Sequence, residues 1–123
     1  MQSPTTPSAC AAGGGGAGGG EIRGTSGDDV LTGTPGDDVI RCGAGNDRVA
    51  AGGGDDTVLC GSGDDVIRGG DGDDRLFGES GNDDIFGEAG NDRLAGDTGN
   101  DRLVGGPGRD SFSEGAGNDT STQ

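Results

Sequence analysis

Residues 69–77 read Gly-Gly-Asp-Gly-Asp-Asp-Arg-Leu-Phe, and this nine-residue pattern keeps its register from Gly27 to Asp119. Numbered one to nine from Gly69 to Phe77, each unit has glycine at position four, aspartate at six and, with one exception, an apolar residue at eight. The glycines are Gly27, Gly36, Gly45, Gly54, Gly63, Gly72, Gly81, Gly90, Gly99, Gly108 and Gly117. The aspartates are Asp29, Asp38, Asp47, Asp56, Asp65, Asp74, Asp83, Asp92, Asp101, Asp110 and Asp119. Three phases locked together over eleven units indicate one structural unit copied along an axis.

Each unit divides into a six-residue turn and a three-residue strand. Gly, Asn and Asp, as in the segment 43–47, tolerate the positive φ of tight turns, whereas Val39-Ile40-Arg41 favours a strand. Side chains alternate along a strand, so the middle residue faces one side alone. The middle residues are Leu31, Ile40, Val49, Val58, Ile67, Leu76, Ile85, Leu94, Leu103 and Phe112, followed by Ser121. We therefore predict an all-β fold in which two units form an eighteen-residue coil, and stacked coils build two parallel sheets around a thin aliphatic core.

The composition changes at about residue 20. Residues 1–20 are rich in Gly, Pro and Thr and are expected to be a disordered lead, with no visible signal peptide. Residues 21–123 are predicted to form the repeat domain. Within it, residues 21–26 are expected to be an N-terminal cap, because Ile22 falls on the apolar phase while Gly20 takes the place of the aspartate. Residues 113–123 are expected to be a fraying C-terminal end.

Charge and composition argue against an unaided fold. The chain is 26% apolar, contains 32 glycines and has a formal net charge of −15. Low hydrophobicity with high net charge is typical of disordered chains, so the carboxylates must be neutralised before this chain can fold. An acidic disordered linker is the alternative, but it leaves the apolar phase without a reason. A nucleic-acid partner is disfavoured because a basic patch and stacking aromatic residues are missing.

The unit at residues 69–77 resembles the nonapeptide G-G-x-G-x-D-x-U-x, with U apolar, of hemolysin-type calcium-binding (RTX) proteins. This resemblance covers residues 24–123 and implies a parallel β-roll, a right-handed solenoid with Ca²⁺ held between turns on the same edge. It also implies that the sixth-position aspartates listed above are carboxylate ligands. Main-chain carbonyls of the second and fourth positions would complete each site. Those predicted carbonyl ligands are Gly27, Gly36, Gly43, Gly45, Gly52, Gly54, Gly61, Gly63, Gly70, Gly72, Gly81, Gly90, Gly99, Gly106 and Gly108.

Several units depart from that pattern. The first position is Cys42, Ala51, Cys60 or Glu114 in four units, and the second is Thr34, Glu79, Glu88 or Asp97 in others. A carbonyl ligand survives a side-chain change if the backbone conformation does, so we expect weaker sites here rather than absent ones.

The chemistry of the donors favours calcium. Carboxylate and carbonyl oxygens are hard ligands, and Ca²⁺ accepts about six to eight of them in a flexible geometry. Zinc prefers His or Cys, and the chain has no His. If a site lies between each unit and the unit two further along, the chain offers about nine sites. Ion binding and folding would then be a single process.

Cys42 and Cys60 are eighteen residues apart and occupy the same position of units one coil apart. Stacked strands lie about 4.8 Å apart, within the range of Cα separations that disulfides accept. A disulfide between coils and two free thiols at a tolerant turn position are equally consistent with this spacing. Cys10 would then be left over and could pair between chains.

The functional prediction is an extracellular or cell-surface calcium-binding β-roll whose folding is coupled to Ca²⁺, with no membrane span and no known protein partner. Without His, Ser-His-Asp triads and H-E-x-x-H zinc sites are excluded, so the segment is predicted not to be an enzyme. Two alternatives stay open: the C-terminal repeat or export module of a larger secreted hydrolase, and a surface adhesin.

Overall fold

A computed structural model describes residues 21–123, so the lead at residues 1–20 and Cys10 lie outside the described residues. Within residues 21–123 the regular structure consists of three-residue strands, one per unit and one in the cap. The strands are β1 (Glu21–Arg23), β2 (Val30–Thr32), β3 (Val39–Arg41), β4 (Arg48–Ala50), β5 (Thr57–Leu59), β6 (Val66–Arg68), β7 (Arg75–Phe77), β8 (Asp84–Phe86), β9 (Arg93–Ala95), β10 (Arg102–Val104), β11 (Ser111–Ser113) and β12 (Thr120–Thr122). This part of the chain contains no helix that could cross a membrane.

Odd-numbered and even-numbered strands form two separate parallel sheets of six strands each. Each strand from β1 to β10 pairs with the strand eighteen residues further along, as in Ile22 with Ile40 and Leu76 with Leu94. Two strands, one from each sheet, therefore make one coil, and about six coils stack into a solenoid. The predicted parallel β-roll is confirmed.

The core consists of two columns of middle residues, one from each sheet. From Ile22 to Leu103 these side chains are 0–3% exposed, while Phe112 is half-buried and Ser121 is exposed. Flanking strand residues face outward and are mostly polar or charged. Burying a Val, Leu or Ile side chain contributes about 1.5–3 kcal/mol, so ten such residues give a small core for so many ordered residues.

A disulfide joins Cys42 and Cys60 across adjacent coils, with the two Cα atoms 4.4 Å apart. Both side chains are fully buried and belong to the hydrophobic core. The structure thus contains the disulfide, one of the two arrangements that the spacing of these residues allows.

Candidate metal centre

The sixth-position aspartates form two columns, because every turn ends at the aspartate and every coil carries two turns. Residues eighteen apart stack within a column, as the backbone bond from the Arg48 N–H to the Asp29 carbonyl shows at 2.9 Å. The nine aspartates from Asp29 to Asp101 are buried, with exposures of 0–3%. Buried carboxylates are rare in proteins unless they are paired or bind a cation.

In each sixth-position aspartate from Asp47 to Asp119, one carboxylate oxygen links two coils. The Oδ1 atom of Asp47 accepts a hydrogen bond from the Asp29 N–H at 2.7 Å. The same bond recurs up both columns, including Asp65 N–H to Asp83 Oδ1 at 2.8 Å. This oxygen therefore has a structural partner, the backbone of the preceding coil.

In seven aspartates of the described range 21–123, the other oxygen has no hydrogen-bond partner. Within residues 21–123, the buried Oδ2 atoms that accept no hydrogen bond belong to Asp47, Asp56, Asp65, Asp74, Asp83, Asp92 and Asp101. A buried, unpaired carboxylate oxygen is energetically costly, so an aligned series of them requires an explanation. A bound cation would supply the missing partner at each of them.

Main-chain oxygens lie close to these carboxylates. A Cβ built on Gly69 would lie 2.5 Å from Asp74 Oδ2 and 3.0 Å from the carbonyl oxygen of Gly87 in the next coil. Both oxygens thus border one small space between two coils. A Cβ built on Gly45 would lie 2.5 Å from the Gly27 carbonyl oxygen, so fourth-position carbonyls also point toward the following coil.

Some predicted carbonyl ligands have a hydrogen-bond donor already. The Gly61 carbonyl accepts the Ser80 N–H at 3.0 Å, and its second lone pair stays available. By contrast, the fourth-position carbonyls of Gly45, Gly54, Gly63, Gly72, Gly81, Gly90 and Gly99 accept none of the backbone bonds found in residues 21–123. At one unit a single nitrogen atom, Gln123 Nε2, donates to the Gly106 and Gly108 carbonyls at 3.2 and 3.0 Å and to Asp110 Oδ2 at 2.6 Å, so the second- and fourth-position carbonyls lie close to the carboxylate there. The role of these oxygens as metal ligands stays a prediction.

Burial dominates the electrostatics of the columns. It raises the pKa of Asp74 to about 8 and those of Asp65 and Asp83 to about 7. The pKa values of Asp47, Asp56 and Asp92 rise to about 6 for the same reason, and that of Asp101 also rises. The N–H of the preceding coil lowers each pKa, whereas neighbouring aspartates raise it further. A bound cation would act in the opposite direction and favour the carboxylate form.

Side chains alone do not make a metal cluster here. No group of three or more His, Cys, Asp or Glu side chains converges within residues 21–123. A site at these turns must therefore combine carboxylates with main-chain carbonyls. That all-oxygen set suits Ca²⁺ far better than Zn²⁺.

Sequence reasoning missed the role of the fifth position, to which it assigned no function. These side chains are exposed, but their Oδ1 atoms hold the next coil: Asp28 accepts the Asn46 N–H, and Asn46 accepts the Asp64 N–H, both at 2.8 Å. The sequence did carry a signal, because every fifth position except Arg109 is Asp or Asn. A second ladder of side-chain to backbone bonds therefore runs along the turns.

Comparison with known proteins agrees with this geometry. The family model described as the RTX calcium-binding nonapeptide repeat (4 copies) matches residues 23–58, 61–94 and 86–120. No significant match was found among curated proteins or solved structures. The matched segments cover well over half of the 123 residues. The chain belongs to the family of RTX calcium-binding nonapeptide repeats and is a calcium-binding β-roll.

Proposed function

We propose that this chain is an extracellular calcium-binding module that folds only as it binds Ca²⁺. The observation that carries the proposal is the pair of columns of buried aspartates, in which seven Oδ2 atoms have no partner within residues 21–123. The sixth-position carboxylates and the carbonyls of the second and fourth positions would hold the ions. When bound, Ca²⁺ supplies the positive charge that these oxygens lack.

The charge of the chain supports coupling between folding and binding. The chain has a formal net charge of −15 and is 26% apolar. High net charge with low hydrophobicity is typical of disordered chains. Folding without a cation would also bring the aspartates of each column together, where like charges repel. Binding free energy at such a site then contributes directly to folding free energy.

The disulfide supports an extracellular or cell-surface location. Disulfides persist in oxidising compartments and are rare in the cytosol, and Cys42 and Cys60 are joined and fully buried. We further infer that the module is not catalytic, because a chain without His cannot form a Ser-His-Asp triad or an H-E-x-x-H zinc site.

Isothermal calorimetry with the chelator-treated protein tests this function. We expect Ca²⁺ to bind with a large heat that includes folding, and Mg²⁺ at the same concentration to give little heat, because Mg²⁺ demands a tight octahedron and dehydrates reluctantly. Equal binding of both ions would point to nonspecific screening of an acidic chain, and no heat with Ca²⁺ would contradict the proposal.

A further inference from the structure

The turns of the first two units differ in conformation from those that follow. From the unit at residue 42 onward, the second and fourth residues all have positive φ, between +69° and +123°. Within residues 21–123, the second and fourth residues outside that region are Thr25, Gly27, Thr34 and Gly36. A β-branched residue such as Thr strongly disfavours positive φ. Both differing turns have Thr at position two, and no later unit does.

In these two turns the threonine binds the aspartate of its own unit. The Thr25 N–H donates to Asp29 Oδ2 at 2.6 Å, and the Thr25 hydroxyl donates to Asp29 Oδ1 at 2.9 Å. Thr34 repeats both bonds to Asp38, at 2.7 and 2.9 Å. We call Thr25 and Thr34 the threonine caps. Because of them, both oxygens of Asp29 and Asp38 already accept hydrogen bonds. Each Oδ2 also accepts a second bond, from the shared hydroxyl proton at 3.1 Å, so unlike the Gly61 carbonyl it has two donors.

Within residues 21–123, an Oδ2 atom lacks a hydrogen-bond partner in each unit that is followed by another coil and has no threonine cap. Asp74 Oδ2 borders the space shared with the Gly87 carbonyl of the next coil. A Cβ built on Gly24 would likewise lie 2.7 Å from Asp29 Oδ2 and in contact with the Cys42 carbonyl oxygen, so the corresponding space exists beside Asp29. There, however, the threonine cap already donates hydrogen bonds to the carboxylate. The units of Asp110 and Asp119 have no unit eighteen residues further along in this sequence.

We infer that the threonine caps close the first two turns to calcium, so that the roll binds seven ions rather than nine. This inference rests on the proposed function. The seven sites are those whose Oδ2 is unpartnered, at Asp47, Asp56, Asp65, Asp74, Asp83, Asp92 and Asp101. Seven divalent ions add about +14, which nearly cancels the formal charge of −15. The second position of the repeat therefore decides whether a turn is a metal site or a metal-independent end of the stack.

Native mass spectrometry of the full chain with calcium alone counts the ions directly. We expect seven ions for the natural sequence. In the Thr25→Gly/Thr34→Gly variant, glycine allows both turns to adopt the conformation of the unit at residue 42, and the count should rise to nine. The matched control, Thr25→Ser/Thr34→Ser, keeps the hydroxyl donors and should stay at seven.

The outcomes are distinct. Nine ions on the natural sequence, or seven on a glycine variant whose circular dichroism matches the natural protein, would overturn the inference while leaving the proposed function intact. Should the glycine variant fail to fold, the count on the natural and serine proteins still decides between seven and nine. No bound calcium in any of the three proteins would overturn the proposed function together with the inference.

Discussion

In the seven sixth-position aspartates from Asp47 to Asp101, the two carboxylate oxygens have different roles. Oδ1 accepts the N–H of the preceding coil, as in Asp56 N–H to Asp74 Oδ1 at 2.8 Å. Oδ2 is buried without a partner in all seven of these residues within the described range. A side chain that keeps the first oxygen and loses the charge should therefore separate the structural task from metal binding.

Asp74→Asn makes that separation, and Asp73→Asn is its control. Asn at position 74 keeps an oxygen for the Asp56 N–H but loses the carboxylate, so we expect one fewer bound Ca²⁺ and a higher calcium midpoint for folding. Asp73 is exposed, and five other units already carry Asn at that position, namely Asn46, Asn82, Asn91, Asn100 and Asn118, so the control should bind the natural number of ions. Equal counts for both variants, measured by equilibrium dialysis, would remove Asp74 from the ligand set.

The raised pKa values predict how the metal-free protein responds to pH. In the folded roll the pKa of Asp74 is about 8 and that of Asp83 about 7, against an ordinary value of 3.8. Their contribution to stability is therefore complete below about pH 4 and is lost as the pH rises toward 7–8, because the unfolded chain releases its protons first. In chelator, β-sheet circular dichroism should be strongest near pH 4. If the β-sheet signal of the metal-free protein grew between pH 4 and pH 8, the predicted direction of the pH dependence would be wrong.

The strands depend on one buried residue each, so core substitutions should be costly. Ile67→Ala removes a fully buried side chain from β6 and should lower the free energy of unfolding by about 2–5 kcal/mol. Val39→Ala on the outer face of β3, where Val39 is 37% exposed, should cost under about 1 kcal/mol. Urea unfolding at saturating calcium measures both. Similar losses for the two variants would mean that the apolar columns are not the core.

The disulfide joins the residue after β3 to the residue after β5, eighteen residues further along the chain. Constraining the unfolded chain over a loop of this length is worth roughly 3 kcal/mol. The Cys42→Ala/Cys60→Ala variant should unfold at lower temperature than the natural protein at equal calcium. Thiol titration of the natural protein under denaturing, non-reducing conditions should find at most one thiol per chain, that of Cys10. Three thiols in the oxidised protein would exclude the bond.

The elements and their register followed from the sequence because the period leaves little freedom. With three β-prone residues in every nine, each strand can pair only with the strand eighteen residues away, as Leu31 does with Val49. The turns were less predictable. Gly27 and Gly36 occupy the same position of the repeat as the later fourth-position glycines, but they do not adopt positive φ. This difference accompanies the hydrogen bonds of Thr25 and Thr34 to the aspartates, which the sequence pattern does not reveal. The Cys42–Cys60 pairing was also open, since its spacing suits paired and free thiols alike.

At the scale of the whole molecule, the sheets and the columns of aspartates have opposing effects. Two six-stranded parallel sheets and the apolar core between them favour the roll. The same stacking brings buried carboxylates into register and a formal charge of −15 into a small volume. In this account, bound calcium shifts the balance toward the folded state, and the chain without it is unfolded at neutral pH.

Far-UV circular dichroism of the purified chain at neutral pH, first in excess EDTA and then in millimolar Ca²⁺, tests this claim most directly. We predict a coil spectrum in EDTA and a cooperative change to a β-sheet spectrum as calcium is added, reversed by further chelator. A complete β-sheet spectrum in EDTA, with the same thermal midpoint as in calcium, would contradict the account.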